Sequence, residues 1–265
     1  MSAPCSDLNS SAYDAFAPFY DAFTAGSDYD AFTEHVLEAI TRHGFAGKRL
    51  LDLACGTGNS FVPFMRLGFR VTGCDASPAM LAQARLKAPA AELVRCDLRD
   101  LPTLGSFDLV TCLDDSLNHL SDETELASAF AGIARNLRAG GMVAFDLNSL
   151  LAYRTTFATS AVSELDAVVF AWRGLGSANA GPGCTAEARI DVFAPGPDGM
   201  YERVVTHHRQ RHFARERVVE LLAEASLECV AVHGVLPDAS LDVTADEDRH
   251  LKVLYTARRA EGGER

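Results

Sequence analysis

Leu50-Leu51-Asp52-Leu53-Ala54-Cys55-Gly56-Thr57-Gly58-Asn59 is the stretch that decides the fold of this chain. Residues 50–53 are apolar apart from a single aspartate, as in a strand buried on both faces. Gly56 and Gly58 then permit a tight turn and close approach of a ligand to the backbone. Arg70-Val71-Thr72-Gly73-Cys74-Asp75 reads as a second strand that ends in an acid. Strand, glycine turn, helix, strand and acid form the layout of a nucleotide-binding βαβ unit. The acid is placed to accept hydrogen bonds from ribose hydroxyls.

Outward from this unit, the same rhythm continues. Strands are expected at 49–54, 70–74, 91–96, 107–112 and 142–146, and helices at 59–67, 77–87 and 122–138. Ser77 serves as N-cap and Pro78 as the first helical residue. Ala139-Gly140-Gly141 is expected to close the third of these helices. Alternation with short links argues a parallel sheet with helices on both faces. After residue 149 the rhythm changes. Strands at 167–172, 185–193 and 201–213, separated by glycine- and proline-rich turns, read as an antiparallel insertion. A helix at 215–225 and strands at 228–233 and 251–257 complete the pattern. On the N-terminal side, 11–44 reads as helical and 1–10 as disordered. Tyr13, Phe16, Phe19, Tyr20 and Phe23 recur at helical spacing. The tail from 258 reads as loose.

Composition narrows the function classes. The chain has 265 residues, 48% of them hydrophobic, and a formal net charge of -12. That is enough for one large core with a small subdomain. The acidic balance disfavours a nucleic-acid partner. No apolar run is long enough to span a bilayer, and the first residues lack a secretory pattern. The seven cysteines show no zinc spacing. They are expected as free thiols in a reducing cytoplasm, with no metal site. His207 and His208 should point to opposite faces of a strand, which makes them a poor metal pair.

Dinucleotide binders carry G-x-G-x-x-G. This chain has Ala54 at the first position and Phe61 where the third glycine belongs, which disfavours a nicotinamide oxidoreductase. D-L-A-C-G-T-G instead resembles motif I of the class I S-adenosylmethionine-dependent methyltransferases. Asp75-Ala76-Ser77-Pro78-Ala79-Met80-Leu81 resembles their D-x-S-x-x-M-L segment, Cys96-Asp97-Leu98 their motif III, and Leu137-Arg138-Ala139-Gly140-Gly141 their L-x-P-G-G turn. The resemblance implies an α/β, Rossmann-like, seven-stranded sheet of order 3-2-1-4-5-7-6. Residues 45–149 and 214–258 would bind the cofactor, S-adenosyl-L-methionine, and release S-adenosyl-L-homocysteine. Gly56 and Gly58 would form the turn. Asp75 would hold the ribose, beside Ala76. Met80 would pack on adenine, Asp97 and Leu98 would meet the adenine edge, and the carbonyls of Leu53 or Ala54 and of Leu113 would meet the methionine ammonium. Tyr13-Asp14-Ala15-Phe16-Ala17-Pro18-Phe19-Tyr20-Asp21 is similar to the entry of sugar amine N-methyltransferases. It implies that residues 1–44 form a lid and that Tyr13 and Tyr20 reach the cofactor.

Ligands in such sheets bind at the carboxyl ends of the strands, so the chemistry is expected after the fourth strand. Leu113-Asp114-Asp115-Ser116-Leu117-Asn118-His119-Leu120 offers two carboxylates, an amide and a histidine. His119 is the expected general base, with Asp115 beside it. Asp114, Asn118, His119 and Tyr153 are expected to touch the acceptor, and the 150–213 insertion to wall it. Arg154, Trp172, His207 and Arg209 are further candidates there. The expected reaction moves a methyl group to a small molecule, an amine before a hydroxyl. A tRNA or protein acceptor and a non-catalytic cofactor-binding module are the alternatives. The chain is expected as a monomer or homodimer.

Overall fold

The computed structural model describes residues 6–196 and 198–261. One sheet has eight strands in the order β11-β10-β12-β5-β4-β1-β2-β3. The first five are β1 (Arg49–Leu53), β2 (Arg70–Asp75), β3 (Glu92–Arg95), β4 (Phe107–Cys112) and β5 (Leu137–Asn148). They pair in parallel. β10 (Leu227–Val235) and β12 (Lys252–Arg259) close the sheet, with β12 antiparallel to both β5 and β10. The expected order therefore holds. The eighth strand, β11 (Leu241–Asp242), is a two-residue edge too short to leave a sequence pattern.

Helices cover both faces. On one, α6 (Glu123–Asn136) and α8 (Arg215–Glu224) bury Phe130, Ile133, Leu221 and Leu222 against Val110, Phe145 and Tyr255. On the other, α3 (Tyr29–Thr41), α4 (Val62–Arg66) and α5 (Pro78–Lys87) bury Val36, Ile40, Phe64 and Leu81 against Leu50 and Leu109. Asp52, the one acid in β1, is fully buried and accepts the hydroxyl hydrogens of Ser60, at 2.6 Å, and Thr111.

The insertion is a second, antiparallel sheet of four strands, not three: β6 (Ser160–Leu165), β7 (Val168–Gly174), β8 (Thr185–Pro195) and β9 (Tyr201–Arg211). All six β6 residues are exposed, so no alternation marked that strand. It is reached through α7 (Leu150–Arg154). Other expectations are corrected. The helix after the glycine turn starts only at Val62, because residues 55–61 are spent on the turn. Ala139-Gly140-Gly141 lies inside β5 as a bulge, where the register on β4 jumps from Phe107↔Leu137 to Leu109↔Met142. Gly140 takes the positive φ, +68°, that the bulge needs. Cys74 and Cys96 are paired as a disulfide between the ends of β2 and β3. β12 continues to Arg259.

At the N-terminus α1 (Ser6–Phe16) is helical from residue 6, so the expected disorder fails over 6–10, and 1–5 lie outside the described residues. α2 (Tyr20–Phe23) follows. Phe16 and Phe23 pack on Phe170, and Phe16 also lies in a cluster with Ile190 and Val192 of the insertion. α3 packs on the main sheet instead. Of the N-terminal elements, α1 and α2 are thus the ones that pack on the insertion. Among the described residues no helix is long and apolar enough to cross a membrane.

Candidate active site

The carboxyl ends of β1, β2 and β4, the underside of α1–α2 and the edge of β9 enclose a cavity of about 780 Å³. That is ample for a nucleoside and a small second molecule. Its first half is built around Asp75. Three alternate turn positions take positive φ: Ala54 at 50°, Gly56 at 52° and Gly58 at 91°. A Cβ at Gly58 would sit 2.8 Å from the Phe61 ring. Phe61 thus fills the space under the loop, where a dinucleotide fingerprint carries its third glycine. The turn aims the Gly56 N–H at Asp75 Oδ2 (2.9 Å), and Ser77 N–H meets Oδ1 at 2.8 Å. Burial pushes the Asp75 carboxyl above its ordinary range, and hydrogen bonds from the Ser77, Gly56 and Ala76 amides work against that rise. A carboxylate has about four acceptor sites, more than these amides use, and Asp75 lines the cavity. A buried carboxylate with spare acceptors fits a ribose diol.

The neighbouring wall fits a base. Ser77 caps α5 by accepting Met80 N–H at 3.1 Å, which fixes Met80 in the first turn. Met80, Ala76, Leu98 and Asp97 all line the cavity, as do Ala54, Gly56, Tyr13 and Tyr20. Gly58 lies behind this wall. Leu113 lines a small annex with Tyr20, Ala54 and Gly56. The Arg99 side chain, 2.8 Å away through Nε, holds the Asp97 carboxyl below its ordinary range. The cofactor implied by the sequence therefore has a ribose acceptor, an apolar shelf and an acid at its far edge.

The second half is the loop after β4. Asp114 (φ 61°) and Asp115 (φ 51°) are consecutive left-handed residues, each costing roughly 1 kcal/mol or more in backbone energy. Long-range contacts hold them. Lys252 Nζ lies 2.7 Å from Asp115, 3.2 Å from Asp146 and 3.3 Å from Asp114. Tyr29 donates to Asp114 at 2.8 Å, and Gln210 donates to Asp115. Burial pushes the Asp146 carboxyl up to about 6. At Asp115 burial acts in the same direction, but Lys252 outweighs it and the carboxyl is held below its ordinary range. Asp114 faces the cavity, whereas Asp115 is committed to the lysine cluster.

His119 lines the cavity. Its Nδ1 lies 3.0 Å from the Arg209 carbonyl oxygen. A carbonyl only accepts, so Nδ1 carries the hydrogen and Nε2 the lone pair. Tyr13 donates its hydroxyl hydrogen to that Nε2 at 2.9 Å. Burial lowers the His119 pKa against the opposing pull of Asp115. The arrangement is a neutral base in a fixed tautomer beneath a phenol.

Asn118 and Tyr153 do not reach the cavity wall. Asn118 is fully buried, donating to Arg211 O and accepting from Asn148 N–H, both at 2.8 Å. It staples the loop to the edge of β9. Tyr153 stacks under the second sheet on Phe157, ring centres 5.3 Å apart. Arg154 pairs with Asp248, and Trp172 donates to Thr156 O. Of the insertion candidates, His207 and Arg209 do line the cavity, joined by Glu187, Thr206 and Gln210, which the sequence did not single out. His207 bonds Glu187 at 2.6 Å on the exposed face. His208 is buried against Tyr13 and Phe16, so the two histidines do point apart. The signal for these residues was the alternation of β9, and it became legible only once the partner of each face was known.

Residues 50–141 match a family model described as a methyltransferase domain. A putative methyltransferase of Geobacillus sp. (strain WCH70) is 30% identical over 260 residues, covering 93% of this chain and 99% of that one. A dTDP-3-amino-3,6-dideoxy-alpha-D-glucopyranose N,N-dimethyltransferase of Streptomyces fradiae is 28% identical over 218 residues, 79% of this chain and 81% of the relative. Among solved structures, a sugar N-methyltransferase from Streptoalloteichus sp. superimposes with a TM-score of 0.73 at 27% identity, covering 91% of this chain and 93% of the other.

Proposed function

The chain belongs to the S-adenosylmethionine-dependent methyltransferases, and on that premise we propose that it methylates an amine nitrogen of a small molecule, with His119 as the terminal base. The observation that carries this reading is the fixed tautomer of His119. Its basic Nε2 is turned toward the cavity and bonded to Tyr13.

When bound, S-adenosylmethionine supplies a methyl group on a positively charged sulfur. The residues of the chain do the rest. Asp75 holds the ribose, Met80 and Leu98 the adenine faces, and Asp97 its amino edge. Ala54 and Leu113 offer carbonyls to the ammonium. Tyr20 and Tyr13 close the cavity and exclude water, which keeps acceptor and methyl in line. Asp114, one of three carboxylates around a single lysine, attracts a cationic amine. An amine attacks only as its free base. The amine proton passes to the Tyr13 oxygen as the Tyr13 hydroxyl hydrogen moves to His119 Nε2. Burial holds the Tyr13 phenol well above its ordinary range, so the phenol hands on a proton without standing ionised. The β8–β9 edge, with Glu187, His207 and Arg209, walls the acceptor. The sugar amine N-methyltransferases among the relatives support an amino sugar as the first class to test.

The test is a panel of amino sugars and their hydroxyl counterparts, offered with methyl-labelled cofactor and read by mass. Methylation of amines alone supports the reading. Equal methylation of the hydroxyl counterparts would replace it with O-methyl transfer, which the same neutral base could serve.

A further inference from the structure

The N-terminal segment carries the dipeptide Tyr-Asp three times, at 13–14, 20–21 and 29–30, and Tyr13-Asp14 and Tyr20-Asp21 are the two copies in α1–α2. Both tyrosines line the cavity. The aspartates point elsewhere, each onto a segment that shapes the ribose site. Asp14 Oδ1 accepts the Ser77 hydroxyl hydrogen at 2.5 Å and the Ala79 N–H at 3.2 Å, at the start of α5. Asp21 Oδ1 accepts from the Thr57 hydroxyl at 2.5 Å and from Asn59 Nδ2 at 3.1 Å, in the glycine turn. Its Oδ2 lies 2.8 Å from Lys87 Nζ at the end of α5. Lys87 also donates to Thr57, at 3.3 Å, and to Asn59. The glycine turn and the start of α5 also supply the two amides, Gly56 and Ser77, that hold Asp75.

We infer that Asp14 and Asp21 form a two-point clasp that positions Tyr13 and Tyr20 over bound cofactor and sets the rate at which the cofactor product leaves. The energetics suit a gate. Asp21 is 52% exposed and Lys87 28%, and an ion pair that open to water contributes little alone. Asp21 is held by three donors together, which makes the clasp firm and still reversible. The same segment also reaches the acceptor loop, through Tyr13 on His119. Opening the clasp therefore dismantles both halves of the site.

The test is the dissociation rate of S-adenosylhomocysteine from the full chain, followed by stopped-flow displacement at low and high salt. Melting temperatures are measured alongside. Asp21→Asn is expected to raise the off-rate about tenfold, equivalent to about 1.4 kcal/mol, while the on-rate stays within about twofold, since formation of the clasp follows encounter. The wild-type off-rate should rise with salt, and that dependence should vanish in Asp21→Asn. Lys87→Met, altered on the outer side of the clasp, should reproduce the faster release even if Asp21→Asn folds poorly. Tight binding by the wild type verifies the cofactor site independently. An unchanged off-rate in both variants overturns the clasp. A slower on-rate with an unchanged off-rate also overturns it, because that pattern marks a distorted pocket.

Discussion

Tyr13 and His119, 106 residues apart in sequence, are joined by a 2.9 Å hydrogen bond whose direction is set from the far side of the imidazole. The Arg209 carbonyl fixes the hydrogen on Nδ1, so Nε2 can only accept. One bond thus links α1, the loop after β4 and the edge of the insertion. His119→Ala should lower kcat by about 100-fold, the scale of general-base catalysis. Affinity for S-adenosylhomocysteine should change little. Steady-state kinetics with calorimetry checks both, and wild-type turnover in this variant would remove the base.

Asp75→Ala removes the proposed ribose acceptor and leaves the Gly56 and Ser77 amides without their partner. Loss of a charge-assisted pair of bonds predicts at least about tenfold weaker S-adenosylhomocysteine binding. Calorimetry on folded variant reads it, and unchanged affinity would move the ribose elsewhere.

Lys252 neutralises a cluster of three carboxylates. Lys252→Met should destabilise the fold by roughly 3 kcal/mol at neutral pH, the cost of leaving buried charge unpaired. Asp146 takes up a proton near pH 6. The loss should therefore shrink as pH falls below about 6, where the Asp146 carboxyl becomes neutral and stops repelling its neighbours. Thermal melts of both proteins at pH 5 and pH 8 compare the two.

His208 contributes a second pH dependence, of opposite sense. Burial lowers its pKa to about 3, below the ordinary value of about 6.5. The unfolded chain thus binds the proton more readily than the folded one. Stability from a neutral His208 is complete above about pH 6.5 and is lost as pH falls toward 3, by up to about 1.4 kcal/mol per pH unit. His208→Phe should flatten the stability curve over that window, as denaturant titrations would show. An unaltered slope would mean that His208 already protonates in the native state.

The half of the cavity proposed for the cofactor was legible because its determinants are local. Ala54 to Gly58, Asp75 to Met80 and Asp97-Leu98 each lie on one turn or strand end, and a βαβ unit brings such ends together by construction. The acceptor half was only partly legible. Asp114 and His119 were read from one loop, but Lys252 lies 138 residues from Asp114, and no short-range pattern announces such a partner. Tyr153 and Asn118 failed for a related reason. Both sit beside the loop in sequence or topology, yet α7 turns Tyr153 under the second sheet and Asn118 is used to cap the edge of β9. β6 left no trace because neither of its faces is buried.

The most direct test of the account is methyl transfer from labelled S-adenosylmethionine to a matched pair of acceptors, one bearing an amine and the other a hydroxyl at the same carbon. It should be run with wild type and with His119→Ala across pH. The account predicts a methylated amine, an untouched alcohol, and a rate about 100-fold lower in the variant. Methylation of the alcohol at the rate of the amine, or an amine methylated equally fast without His119, would contradict it.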